Sequence, residues 1–130
     1  MIDHVSITVS DLARAERFYD AVMAALGIPK VGSDAAWLGY GERADAAHPE
    51  RAYLSIRLGP TPDAAAGRHW AFRAPDRAAV EAFWRAGLAA GGADDGAPGP
   101  RAHYHPNYVA AFLRDPDGNR VEAVCHRAEG

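Results

Sequence analysis

The chain has 130 residues, enough for one compact domain with a buried core. Lys and Arg total 14 against 17 Asp and Glu, a formal charge of −3 with no basic stripe, which argues against nucleic acid as a main partner. No apolar run approaches the ~20 residues of a membrane span. Cys125 stands alone, so no disulfide framework is expected, and strand-like sequence from Ile2 leaves no basic leader with an apolar stretch behind it. The chain reads as a cytoplasmic domain without membrane association.

From Ile2 to Val9 the sequence alternates, with Val5, Ile7 and Val9 on one side and His4, Ser6 and Thr8 on the other, the mark of a half-buried strand. Ser10 or Asp11 can cap the helix that follows. Its Leu12, Ala15, Phe18, Val22 and Leu26 recur at helical spacing before Gly27 ends it. Strands are expected near 28–31, 35–40 and 52–58, with a polar loop over Gly41 to Arg51. After a linker, 59–67, a second alternating strand starts at Arg68. Pro75-Asp76 opens a second helix with Val80, Phe83 and Leu88 facing inward, and Gly91-Gly92 stops it. Ala93 to Pro100 reads as a Pro/Gly-rich connection. Two strands close the chain, 108–114 and 120–126, joined by Asp115-Pro116-Asp117-Gly118-Asn119, which has turn chemistry and lacks the length and ligand alternation of a calcium loop.

The chain contains the same motif twice. His4 through Asp11 lies over His69 through Asp76, and the match runs on without a gap through Glu16 over Glu81, Phe18 over Phe83, Tyr19 over Trp84 and Gly27 over Gly92. A duplicated unit with one histidine per copy places two imidazoles at pseudo-symmetric positions, a route to a metal site at an internal interface.

Asp3-His4-Val5, Ser10-Asp11-Leu12 with Phe18-Tyr19, His69-Trp70-Ala71-Phe72, and the run from Asp115 to Glu122 together resemble the vicinal oxygen chelate superfamily, the glyoxalase, bleomycin-resistance and extradiol-dioxygenase group. The resemblance covers nearly the whole chain. It implies an α+β fold of two tandem βαβββ units, 1–58 and 68–130, whose mixed sheets form cups with the helices on their outer faces. It also implies metal ligands at His4, His69 and Glu122, one divalent ion (Zn, Fe, Mn or Ni), a small-molecule substrate chelating through adjacent oxygens, and a homodimer. Two imidazoles and a carboxylate form a facial set that leaves coordination positions open. Strand parity agrees, since each of the three lies opposite an apolar face, and a glutamate between Val121 and Val124 is costly to bury unless something binds it.

The first unit departs from the glyoxalase I pattern. Its last strand, Ala52 to Leu58, carries no carboxylate, so that reaction lacks its base at the symmetry mate of Glu122. A site with only His-His-Glu is more similar to the extradiol dioxygenases and to fosfomycin-type thiol transferases, which need cations for a phosphonate; Arg57, Arg73 and Arg120 are the candidates. A metal-free ligand-sequestering protein of the bleomycin-resistance kind is the other alternative. His103, Tyr104, His105 and Tyr108 are candidate catalytic residues, because imidazoles near neutrality transfer protons and a phenol donates to a developing oxyanion. His48 is expected in solvent, and Cys125 in the core.

Overall fold

In a computed structural model, which describes residues 1–60 and 68–128, two units of the same build lie side by side. The first comprises β1 (His4–Val9), α1 (Leu12–Ala25), β2 (Lys30–Ser33), β3 (Trp37–Gly41) and β4 (Tyr53–Leu58). The second comprises β5 (Trp70–Arg73), α2 (Arg77–Ala89), β6 (Ala93–Pro100), β7 (Val109–Arg114) and β8 (Arg120–Cys125). Strand order is β1-β4-β3-β2 in one sheet and β5-β8-β7-β6 in the other. In each, the outer pair β1–β4 or β5–β8 is parallel and the remaining pairs are antiparallel, as a helical crossover after the first strand requires. Most of the expected linker, 61–67, lies outside the described residues.

Local chemistry accounts for the helices. Asp11 and Asp76 sit in extended backbone and accept from the amides of Arg14 (3.0 Å) and Ala79 (2.8 Å), capping α1 and α2. Gly27 and Gly91 follow the helix ends at φ +73 and +98, where a side chain would be strained. Phe18, Tyr19 and Val22 of α1 and Val80 and Phe83 of α2 are fully buried against Val9, Ile56, Leu113, Val121 and Ala123 of the sheets, forming one core for both units. At Gly87 the helices and β7 approach so closely that a Cβ would run into Leu113, Val22 and Phe18.

Two details depart from the sequence reading. Ala93 to Pro100, read as a connection, is the edge strand β6. It pairs with β7 through two register breaks, between Asp94 and Gly96 and between Gly96 and Gly99, and its prolines are tolerated because only one side of it is paired. The 115–119 segment is the turn its composition announces, with Gly118 at φ +88, but it is also a clamp between the units. Buried Asp115 accepts from Tyr19 Oη (2.7 Å), Asn119 Nδ2 (2.9 Å) and the amides of Asp117 and Asn119 (both 2.9 Å). Its burial still raises its pKa, against the pull of these donors. Asn119 Nδ2 donates to the Thr8 carbonyl (3.0 Å), and Asp117 accepts from the Ser10 amide and from Arg14 (both 3.0 Å). The end of β1 is thereby fixed beside the start of β8. Among the described residues no helix is long and apolar enough to cross a membrane.

Candidate active site

β8 carries the central residue. Its register sets Glu122 between Ala71 of β5 and Phe112 of β7, on the face turned away from the helices. Val121, Ala123 and Cys125 take the other face and fill the core, as expected for that free thiol. Glu122 is only 1 % exposed. A carboxylate so deep must be met by donors or positive charge. His69, just before β5, brings Nε2 to 3.1 Å from Oε1, and Tyr108, just before β7, donates its hydroxyl to Oε2 at 2.6 Å. Burial, and then the hydrogen bond to Glu122, raise the Tyr108 pKa well above the ordinary phenol value.

The 101–108 segment folds back over this face. Its reversal is closed by the Arg101 amide donating to the Tyr108 carbonyl at 2.7 Å. His105 packs edge-on to Tyr108, with ring centroids 5.5 Å apart, and its Nε2 lies 2.9 Å from His126 Nδ1. The Asn107 amide donates to His105 Nδ1 at 3.0 Å, so a neutral His105 carries its proton on Nε2 and donates it to His126. Tyr104, 62 % exposed, leans on Tyr108 at 4.8 Å, and His103 lies outermost against Tyr104 at 4.2 Å. Glu122, Tyr108, His105 and His126 thus form one connected group. His126 had a legible signal, the strand parity it shares with Glu122; its partner His105 did not, because the contact depends on the chain reversal.

His4 is elsewhere. Its Nδ1 is 2.7 Å from Asp3 Oδ1, and its ring stacks on Tyr53 at 5.1 Å with an interplanar angle of 17°. Ser6, Ile7 and Thr8 line a cavity with Arg68, Trp70, Asn119 and Arg120, whereas His4 and Val5 line another, of about 340 Å³, with Trp70 to Arg73. β1 and β5 therefore run alongside each other in opposite directions, and His69 lies near the Thr8 end of β1. At ~3.3 Å per residue, His4 is roughly 10 Å or more further along. Among the described residues no three His, Cys, Asp or Glu side chains converge as a metal requires. One chain brings His69 and Glu122 together and leaves His4 apart.

The first unit's corresponding face is built differently. Ser55, fully buried, pairs with Ser6 of β1 and Gly39 of β3. It accepts a hydrogen bond from Trp37 Nε1 at 2.9 Å. Of the arginines singled out from sequence, Arg120 lies 3.8 Å from Asp95, while Arg57 and Arg73 make no ion pair among the described residues. His48 lies in an exposed loop, 3.2 Å from Asp45.

Comparison with known proteins accords with this architecture. The family model described as the Glyoxalase/Bleomycin resistance protein/Dioxygenase superfamily matches residues 1–123. A glyoxalase/bleomycin resistance protein from Albidiferax ferrireducens T118 is 30% identical over 98% of this chain and 99% of its own, with a TM-score of 0.81. A glyoxalase/bleomycin resistance protein/dioxygenase family enzyme from Burkholderia phytofirmans PsJN is 18% identical over 96% and 98%, with a TM-score of 0.68. The fosfomycin resistance protein FosX from Mesorhizobium loti is 17% identical over 98% and 93%, with a TM-score of 0.67. These last two are likenesses of fold. No curated protein matches the chain.

Proposed function

Since the chain belongs to the Glyoxalase/Bleomycin resistance protein/Dioxygenase superfamily, we propose that it is a metal-dependent enzyme acting on a small substrate that chelates through two adjacent oxygens. One divalent ion, Zn, Fe, Mn or Ni, is held by His69 and Glu122 of one chain and His4 of a second in a homodimer. The observation that carries this reading is the 3.1 Å approach of His69 Nε2 to the buried Oε1 of Glu122. Imidazole nitrogen and carboxylate oxygen suit all four metals, and two donors are too few without a third. His4, exposed and too far to join its own His69, suits the missing position if it comes from a second copy.

The bound ion supplies Lewis acidity or, for iron or manganese, an oxygen-activating centre. The chain's own residues do the rest. Glu122 contributes the charge that retains the ion. The Tyr108 hydroxyl occupies Oε2 and so fixes the carboxylate with Oε1 toward His69. The His105–His126 pair holds a proton between Nε2 and Nδ1 on the same face, where an imidazole can exchange it with a substrate oxygen. Ser55, in place of a second carboxylate, leaves no base for orthodox glyoxalase I chemistry. A thiol transfer of the fosfomycin type remains compatible with Arg57 and Arg73, which make no ion pair among the described residues. A purely sequestering protein has no use for a buried carboxylate against an imidazole.

Elemental analysis of untagged protein tests the reading. About one divalent ion per chain is expected, falling strongly in each of H4A, H69A and E122A because two remaining donors do not fix the geometry. Undiminished metal in all three variants would overturn it.

A further inference from the structure

The face of the first sheet that bears His4 holds a second constellation that the metal site does not use. Trp37 lies flat over Gly32 and Gly39, and a Cβ on either glycine would collide with its ring. The indole is further pinned by its hydrogen bond to Ser55 (2.9 Å). Tyr53 is fixed beside it by stacking on His4. The Arg43 guanidinium sits against both rings, with Cζ 5.2 Å from the Trp37 centroid and 5.0 Å from that of Tyr53. The flanking carboxylates of Glu42 and Asp45 turn instead to Arg51, at 2.7 and 3.8 Å. Among the described residues no carboxylate pairs with Arg43 or with Arg57, which lies opposite Trp37 in the sheet register.

We propose that Arg43, seated on Trp37 and Tyr53 beside His4, docks an oxyanion of the substrate, a carboxylate or a phosphonate. Two aromatic rings take up the π-face of the guanidinium and limit its orientation, while its N–H donors remain at the edge. That edge matches the paired oxygens of a carboxylate or phosphonate, which accept two parallel hydrogen bonds. A planar cation held in place without a counterion is prepared for an incoming anion, because less side-chain freedom remains to be lost on binding. The stack of Arg43, Tyr53 and His4 sets the anion next to the proposed metal ligand. The substrate would then carry an anionic group a short distance from its chelating oxygens. This step rests on the reading of the His4 face as the substrate face, but not on metal being present.

The experiment therefore uses the metal-free full chain. Benzoate, phenylphosphonate and the neutral control benzamide are titrated at low ionic strength while two resonances are followed by NMR: the Arg43 Nε–H, assigned by its loss in R43K, and the indole N–H of Trp37 beneath it, which R43K retains and which reads binding in that variant. The expected result is a saturable shift with benzoate or phenylphosphonate, none with benzamide, and binding about tenfold or more weaker in R43K, the loss of roughly one charge-assisted hydrogen bond. The tighter of the two anions identifies the group. An unmoved resonance with both anions, equal binding of benzamide, or undiminished binding in R43K would each overturn the proposal. Metal content, measured separately on the protein as purified, distinguishes failure here from failure of the metal site.

Discussion

Ser55 stands in the first unit where Glu122 stands in the second. Ser55 pairs with Ser6, two residues after His4, as Glu122 pairs with Ala71, two residues after His69. On the other side Ser55 faces Gly39, where Glu122 faces Phe112. The space that a glutamate and a phenylalanine fill in one unit is filled in the other by the Trp37 indole lying across two glycines. One copy carries the donors that suit a metal, and the other an aromatic floor with an arginine on it.

This division predicts the outcome of mixing two defective chains. Neither H4A nor E122A alone should retain metal. A heterodimer of the two keeps one site whole, with His69 and Glu122 from the H4A chain and His4 from the E122A chain. Co-expressed with different tags and purified through both, it should carry about one ion per dimer. A site formed within one chain would leave that heterodimer empty.

Tyr108 should act through Glu122. Y108F keeps the ring against Tyr104 and His126 but removes the hydroxyl that donates to Oε2. Partners of this kind, one bond removed from a ligand, typically govern metal affinity by about 10–100-fold. Chelator competition should show a loss in that range with the fold intact by circular dichroism, and unchanged affinity would refute the role.

The 115–119 turn should contribute more stability than its loop position suggests. D115A orphans the buried Tyr19 hydroxyl and one of the two Asn119 Nδ2 protons, the other still donating to Thr8, each at about 1–3 kcal/mol. D117A breaks an ion pair with the half-exposed Arg14 and two bonds to Ser10, and should cost less. Urea denaturation of the two variants gives the order, which reverses if the clamp on Ser10 outweighs the buried network.

Stability should fall steeply in alkali. Burial, with Asp115 beside Tyr19 and Asp20 beside Tyr40, raises both phenol pKa values in the folded state. Above pH ~10 the unfolded chain releases these protons while the folded chain keeps them, so the unfolded state binds fewer protons and stability drops as pH rises. Below that pH the contribution is fully present. Tyrosinate absorbance should rise together with loss of the circular dichroism signal; Y40F should shift the transition to higher pH, and an unshifted transition would count against Tyr40 as one of the titrating groups.

Much of the architecture was legible because its causes are local. Asp11 and Asp76 cap helices by their own side chains, Gly27 and Gly91 end them by backbone freedom, and alternation along β1 and β8 separates core from cup whatever the neighbours. The repeat declared two units, and parity put Glu122 opposite the apolar face of its strand. β6 escaped because its pairing overrides a Pro/Gly-rich composition through register breaks that no local pattern announces.

What the sequence by itself determined, then, is the pair of units, their helices and the faces on which His4, His69 and Glu122 lie. Only the tertiary structure decided which of these residues meet. The register of β5 on β8 brings His69 to Glu122 and the reversal over 101–108 brings Tyr108 there, while the link from Asn119 to Thr8 holds the end of β1 beside β8 and leaves His4 at the far end, against Tyr53. Asn119 and Thr8 are 111 positions apart. Contacts over such separations depend on how two finished surfaces fit, and periodicity within either surface holds no record of that fit.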